Sequence, residues 1–163
     1  MSFDKFSKKQ ISQSKLLLKL TSYCAYQERC LYDIHQQLNK YELTEEQKEQ
    51  AIDYLYQEKY LDELRYAQSF TRGKFQFKSW GKNKIKAHLK AKGISDLEIE
   101  KSLKEVNEEL YWEKCLKLLE NKLEALEKKD EPLMAKKQKA INSLMQKGYG
   151  FDIIQNCLKE LEL

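Results

Sequence analysis

Between Arg65 and Lys92 the chain places nine Lys or Arg residues and one His, with no Asp or Glu among them. Closely spaced cations of this kind can neutralise phosphates or acidic side chains, so the stretch points to a polyanionic or acidic partner. The segment before it is opposite in character, with eight acidic residues and two lysines from Glu42 to Glu63. The whole molecule carries 30 basic and 26 acidic residues, a net charge of +4, so its charge is segregated along the chain more than it is in excess.

Helical periodicity sorts these cations. Ile85 and Leu89 mark the packing side of a helix from about Lys82 to Lys92; Lys82, Lys86 and Lys90 follow one edge of that face, and Lys84, His88 and Lys92 the other. Lys74 and Lys78 lie just upstream, and Arg65 and Arg72 stand two turns apart on the preceding helix. Two neighbouring helices are therefore expected to present one connected cationic surface suited to phosphates or carboxylates. The competing reading is a solvated lysine-rich face, and His88 is as readily a plain surface residue as a phosphate contact.

Aromatic residues interleave with the charge. Tyr66, Phe70 and Phe77 share one helical stripe and are expected in the core. Phe75 falls off that stripe, which makes it the aromatic candidate for a partner contact, since a ring beside a basic groove can stack a base or pack an interface. Trp80 precedes Gly81 at a helix junction, where it could pin two helices together.

Catalysis has little support. Glu58, Asp62 and Glu63 stand near the acidic-to-basic boundary, but no His/Asp cluster, Gly-rich phosphate loop or metal-ligand spacing accompanies them. Asp62 reads as a helix cap and Glu63 as a first-turn carboxylate, so no enzyme, cofactor or metal is expected. Cys24, Cys30, Cys115 and Cys157 form no CxxC pair and read as small buried hydrophobes of a reducing compartment. No apolar run approaches the length of a membrane span and no secretory signal opens the chain, so a soluble, cytoplasmic protein is expected.

The elements that position these residues are helices. A single Pro and five Gly leave few of the turns an all-β chain needs. Residues 1 to about 12, with Phe3 and Phe6, read as a loose arm or short helical extension. Thr44 and Gln47 form a plausible capping box, Asp62 caps the next helix, Ser95 or Asp96 a later one, and Gly148 or Gly150 interrupts the last pair. A repeat underlies the pattern: Ile85, Leu89, Gly93, Ile99 and Leu103, shifted by 55 residues, become Ala140, Leu144, Gly148, Ile154 and Leu158. Shifted back by 51, Ile85 and Leu89 become Ile34 and Leu38, while matching Leu103 to Leu55 requires three extra residues at the first copy's turn. The expected fold is all-α: three tandem three-helix modules, 1–60 with the N-terminal arm, 61–107 carrying the basic face, and 108–163, in an elongated, curved array.

Tyr60, Asp62, Arg65, Tyr66, Ala67, Phe70, Arg72 and Lys74, followed by Gly81, Ile85, Leu89, Lys92, Gly93 and Ile94, spell YLDELRYAQSFTRGK and WGKNKIKAHLKAKGI. This pattern resembles the central signature of the RecX family of bacterial recombination regulators. Asp62, Tyr66, Phe70, Trp80, Gly81, Ile85, Leu89 and Gly93 are taken as the structural signature. The candidate contacts with a partner or DNA, read from charge and aromatic spacing, are Arg65, Arg72, Lys74, Phe75, Lys78, Lys82, Lys84, Lys86, Lys90 and Lys92. A monomer is expected, and the resemblance implies a non-enzymatic modulator, an inhibitor of the RecA recombinase. It would lodge in the groove of the RecA nucleoprotein filament on single- or double-stranded DNA and suppress its ATPase and strand exchange. A direct DNA- or RNA-binding protein acting without RecA, or a helical scaffold for another acidic protein, stand as alternatives.

Overall fold

The structure, a computed structural model, describes residues 7–163. Its described residues fold into nine α-helices: α1 (Gln13–Tyr26), α2 (Leu31–Leu38), α3 (Glu45–Gln57), α4 (Glu63–Lys78), α5 (Lys82–Ala91), α6 (Asp96–Lys104), α7 (Glu108–Leu126), α8 (Leu133–Lys147) and α9 (Phe151–Glu160). The all-α organisation in tandem three-helix modules is thus the one read from the periodicity. Among the described residues no helix is long and apolar enough to cross a membrane.

Helix starts follow local chemistry. Thr44 and Gln47 close a reciprocal capping box on α3, and Ser95 with Glu98 does the same for α6, which settles the choice between Ser95 and Asp96. Asp62 accepts the Arg65 backbone N–H at 2.9 Å and so caps α4. Glu45 and Glu46, Asp96 and Glu98, and Glu108 and Glu109 place negative charge at the positive ends of α3, α6 and α7. Ile34 and Ile85 are 51 residues apart, and so are the caps Thr44 and Ser95. The extra residues expected in the first copy's turn therefore lie in α3 itself, 13 residues long against nine for α6.

The described residues pack as two compact units, 7–66 with 92–94 and 67–91 with 95–163. The first is built on Leu16, Leu20 and Cys24 of α1, Ile34 and Leu38 of α2, Ala51 and Leu55 of α3, and Leu61. Residues 7–12 are neither loose nor helical: Lys9 pairs with Tyr41 in a single β-bridge, donating to the Lys40 carbonyl at 3.1 Å and accepting from Glu42 at 2.9 Å. The expectation for Phe3 and Phe6 lies outside the described residues.

In the second unit α5 begins against the end of α8. Gly81 donates its N–H to the Lys147 carbonyl at 2.7 Å, Asn83 donates to the Gly148 carbonyl at 2.9 Å, and Lys82 donates to the Tyr111 hydroxyl at 2.9 Å. The otherwise orphaned first N–H groups of one helix thus satisfy the last carbonyls of another, with opposite dipole ends facing. The approach is close enough to demand glycine at both positions. A Cβ on Gly81 would lie 2.3 Å from the Gly148 carbonyl carbon, and one on Gly148 would lie 2.4 Å from Lys84 Cβ. Gly148 also has a φ of 101°, which lets it end α8 in the left-handed region. Behind the crossing, Tyr149 is 1% exposed, stacks on Tyr111 at 5.1 Å and donates its hydroxyl to the Ser79 carbonyl at 3.0 Å.

Gly93 provides an internal comparison, because it too has a positive φ, 77°, but its Cβ position is open. Gly93→Ala is expected to cost only the left-handed backbone term, about 1–2 kcal/mol. Gly148→Ala adds a steric term of about 1–3 kcal/mol, and Gly81→Ala carries the steric term alone. Urea denaturation of the three variants is expected to find Gly148→Ala the least stable; equal losses at Gly93 and Gly148 would mean that the crossing has room for a methyl group.

Candidate functional site

The basic run is free of acid along the chain but not in space. Within the second unit Arg72 lies 3.5 Å from Glu105, Lys86 3.2 Å from Glu100 and Lys90 3.4 Å from Asp96, and Lys82 is paired with Glu108. The edge formed by Lys82, Lys86 and Lys90 is therefore lined by carboxylates of α6 and of the start of α7. In the first unit Arg65 binds Glu28 at 2.6 Å and reaches the carbonyls of Lys59 and Tyr60. Lys92 donates to Asp33 at 2.6 Å and sits over the Tyr32 ring. Arg65 and Lys92 thus act as structural cations of the first unit, and the unbroken cationic surface expected from the sequence is corrected accordingly.

The other side of α4 and α5 differs. Trp80 lies 4.6 Å from His88 and 6.1 Å, edge-on, from Phe70, while Phe70 and His88 are stacked at 6.4 Å. Lys74 stands 4.8 Å from the Trp80 ring centre and Lys84 4.4 Å from it. Among the described residues Lys74, Lys78 and Lys84 have no carboxylate within ion-pair distance, unlike Lys82, Lys86 and Lys90. The ring cluster is mounted firmly. Ser79 takes a positive φ of 56° and ends α4, Trp80 N–H returns to the Lys74 carbonyl at 3.1 Å, and Tyr149 holds the Ser79 carbonyl. A non-glycine residue in that region costs about 1–2 kcal/mol, which the surrounding contacts must offset.

The energies decide what such a platform can do. A lysine head over an exposed ring is worth about 0.5–1 kcal/mol. A nucleobase stacked on an aromatic side chain is worth about 1–3 kcal/mol. A base can therefore displace a lysine head and leave its charge for the flanking phosphate. The paired cations resist such exchange little, because a half-exposed ion pair contributes only about 0–1 kcal/mol.

Phe75 and Phe77 exchange the places expected of them. Phe75 is 8% exposed, packed on Tyr111 at 5.9 Å with Lys114 over its ring, whereas Phe77 is 82% exposed. The buried stripe of α4 here is Ala67, Thr71 and Phe75, spaced by four; Thr71 donates to the Ser102 hydroxyl at 3.2 Å, which donates to the Ile99 carbonyl at 2.8 Å. A small residue and a hydroxyl gave that stripe no apolar signal, while Phe77 continued the stripe of Tyr66 and Phe70 past the point where the helix has anything to pack against. Phe75 is a core residue, not a partner contact. Tyr111 and Tyr149 were missed altogether, although Tyr149 follows the glycine that the repeat aligns with Gly93.

All four cysteines are buried free thiols, and burial pushes Cys24 and Cys30 up to about 11, so they stay protonated; Cys30 also donates its thiol to Asp33 at 3.3 Å. Among the described residues no group of three His, Cys, Asp or Glu side chains could hold a metal ion.

Comparison with known proteins places this geometry in context. Residues 62–103 match the family pattern described as RecX, second three-helix domain, and residues 108–158 match RecX, third three-helix domain. Proteins named regulatory protein RecX from Bacillus mycoides and Bacillus cereus are 32% and 33% identical over 148 residues, 91% of this chain. The chain spans about half the length of these curated relatives, 54%. A crystal structure of RecX from Lactobacillus salivarius superposes with a TM-score of 0.82 at 27% identity, covering 92% of this chain and 96% of that one. A crystal structure of regulatory protein RecX gives 0.78 at 26% identity, covering 88% and 71%.

The Asp33–Lys92 pair carries a pH signature. Burial pushes the Asp33 carboxyl up, but hydrogen bonds from Lys92 and from the backbone and thiol of Cys30 outweigh it and hold it below the usual range. Burial likewise lowers Lys92, and the Asp33 hydrogen bond outweighs it and raises the amine. The pair's stabilisation is therefore full between the unfolded values of about 4 and 10.4. It is lost as pH falls through the depressed carboxyl value or rises through the elevated amine value. Asp33→Asn is expected to destabilise the protein at pH 7 and to differ less from the natural chain at pH 3, measured by urea denaturation; a difference that grows on acidification would contradict this.

Proposed function

The chain belongs to the RecX family, and from that membership we propose that it is a non-enzymatic inhibitor of the RecA recombinase, binding in the groove of the RecA–DNA filament. The observation that carries the reading is the coincidence of the family's second three-helix domain, residues 62–103, with the segment where the chain's cations are concentrated. Three modules, 1–60, 61–107 and 108–163, would give the protein contacts with more than one RecA subunit, and a body seated across subunits would hinder the movements that ATP hydrolysis and strand exchange require.

Charge supplies the attraction. Lys86 and Lys90 make ion pairs that are largely solvent-exposed, so an incoming phosphate or acidic RecA side chain can replace Glu100 or Asp96 at small cost. Such binding weakens with salt, because both screening and counterion release oppose it.

The test is RecA's ATPase on single-stranded DNA with increasing amounts of this protein, beside a naked-DNA binding control. Hydrolysis is expected to fall, and to fall less as salt is raised. The triple variant Lys82→Gln/Lys86→Gln/Lys90→Gln, with helical circular dichroism retained, is expected to inhibit less. If the target is single-stranded DNA phosphate, each lost contact reduces the slope of log affinity on log salt by about 0.7. An unchanged ATPase at saturating protein, with tight naked-DNA binding, would replace this reading by direct nucleic-acid binding without RecA.

A further inference from the structure

We infer that Trp80, with Phe70 and His88 beside it and Lys74 and Lys84 over it, is a stacking site for an unpaired nucleobase of single-stranded nucleic acid, the lysines binding the adjoining phosphates. The inference deepens the reading above by naming what one face of the second module recognises, and it does not require RecA.

Three observations carry it. The first is the difference between two sides of the same helix pair: Lys82, Lys86 and Lys90 are compensated by carboxylates, while among the described residues Lys74, Lys78 and Lys84 are not. Of these, Lys74 and Lys84 stand over the Trp80 ring. The second is composition, since Trp80 is half-buried and His88 exposed, with their ring centres 4.6 Å apart. The third is rigidity. Trp80 is fixed between the left-handed Ser79 and Gly81, and Gly81 is bonded to the Lys147 carbonyl. A ring held in place loses little freedom when a base stacks on it.

Chemistry selects the occupant. An acidic peptide would satisfy the lysines but gain nothing from the ring faces. Duplex DNA would satisfy the lysines while keeping its base faces covered by its own stacking. A flexible single strand can offer both a free base face and a phosphate on either side, which is the combination the site presents.

The experiment uses the full chain without RecA, so that its failure is separate from failure of the inhibitor reading. Trp112→Phe leaves Trp80 as the only tryptophan, and its fluorescence is followed as a short oligothymidylate, a matched abasic phosphodiester, a duplex or polyglutamate is added. Oligothymidylate is expected to quench Trp80 and to bind about tenfold or more tightly than the abasic chain. Trp80→Ala is expected to abolish that preference, Trp80→Phe to keep part of it, and Lys74→Gln/Lys84→Gln to weaken both single-stranded ligands alike. Equal affinity for the thymidylate and abasic chains, tighter binding of the duplex or of polyglutamate, or no binding at all would overturn the inference. Should Trp80→Ala fail to fold by circular dichroism, quenching and the abasic comparison on the Trp112→Phe chain decide.

Discussion

The second unit depends on two backbones touching. Where α5 starts, Gly81 lies against Gly148 so closely that neither position has space for a methyl group. The first N–H groups of α5 bond to the last carbonyls of α8. Direct main-chain contact of this kind fixes a helix more tightly than side-chain packing can, because no rotamer is available to absorb a shift. The start of α5 in turn sets which way Ile85 and Leu89 face, and hence on which sides its lysines emerge. It also fixes the junction that holds Trp80, with Tyr149 bonded to Ser79 from beneath.

Charge is organised around that frame in two ways. One edge of α5 has its lysines matched by Asp96, Glu100 and Glu108, acids that follow closely in sequence and return beside it through the α5–α6 turn and the start of α7. The other side keeps Lys74 and Lys84 against aromatic rings. The paired edge can exchange carboxylates for another anion at little cost, and the ring side offers stacking in addition to charge. Arg65 and Lys92 stand apart from both, since each is hydrogen-bonded into the first unit.

Much of this was legible in the residues. The capping box at Thr44, the apolar periodicity of α2, α5 and α8, and the repeat aligning Gly93 with Gly148 depend on short-range chemistry that a sequence states directly. What escaped is what depends on rotation and long-range return of the chain. Phe75 packs inward because Ala67 and Thr71, neither of them conspicuously apolar, share its stripe, and no count along the chain reveals that α7 brings Tyr111 to meet it. The acid-free run likewise says nothing of acids brought back by the next two helices. Gly81 was legible as a helix boundary, but the need for glycine there belongs to a partner 67 residues away.

The claim on which the rest stands is that the Gly81–Gly148 crossing is part of the unit's cooperative core rather than a surface contact. Native-state hydrogen exchange at the Gly81 and Asn83 amides measures this directly, since both would be exposed early positions of a helix were it not for the α8 carbonyls. The account predicts protection at these two amides equal to that of the Ile85 and Leu89 amides, reached only through global unfolding of the unit. Exchange at the rate of a frayed helix N-terminus would contradict it.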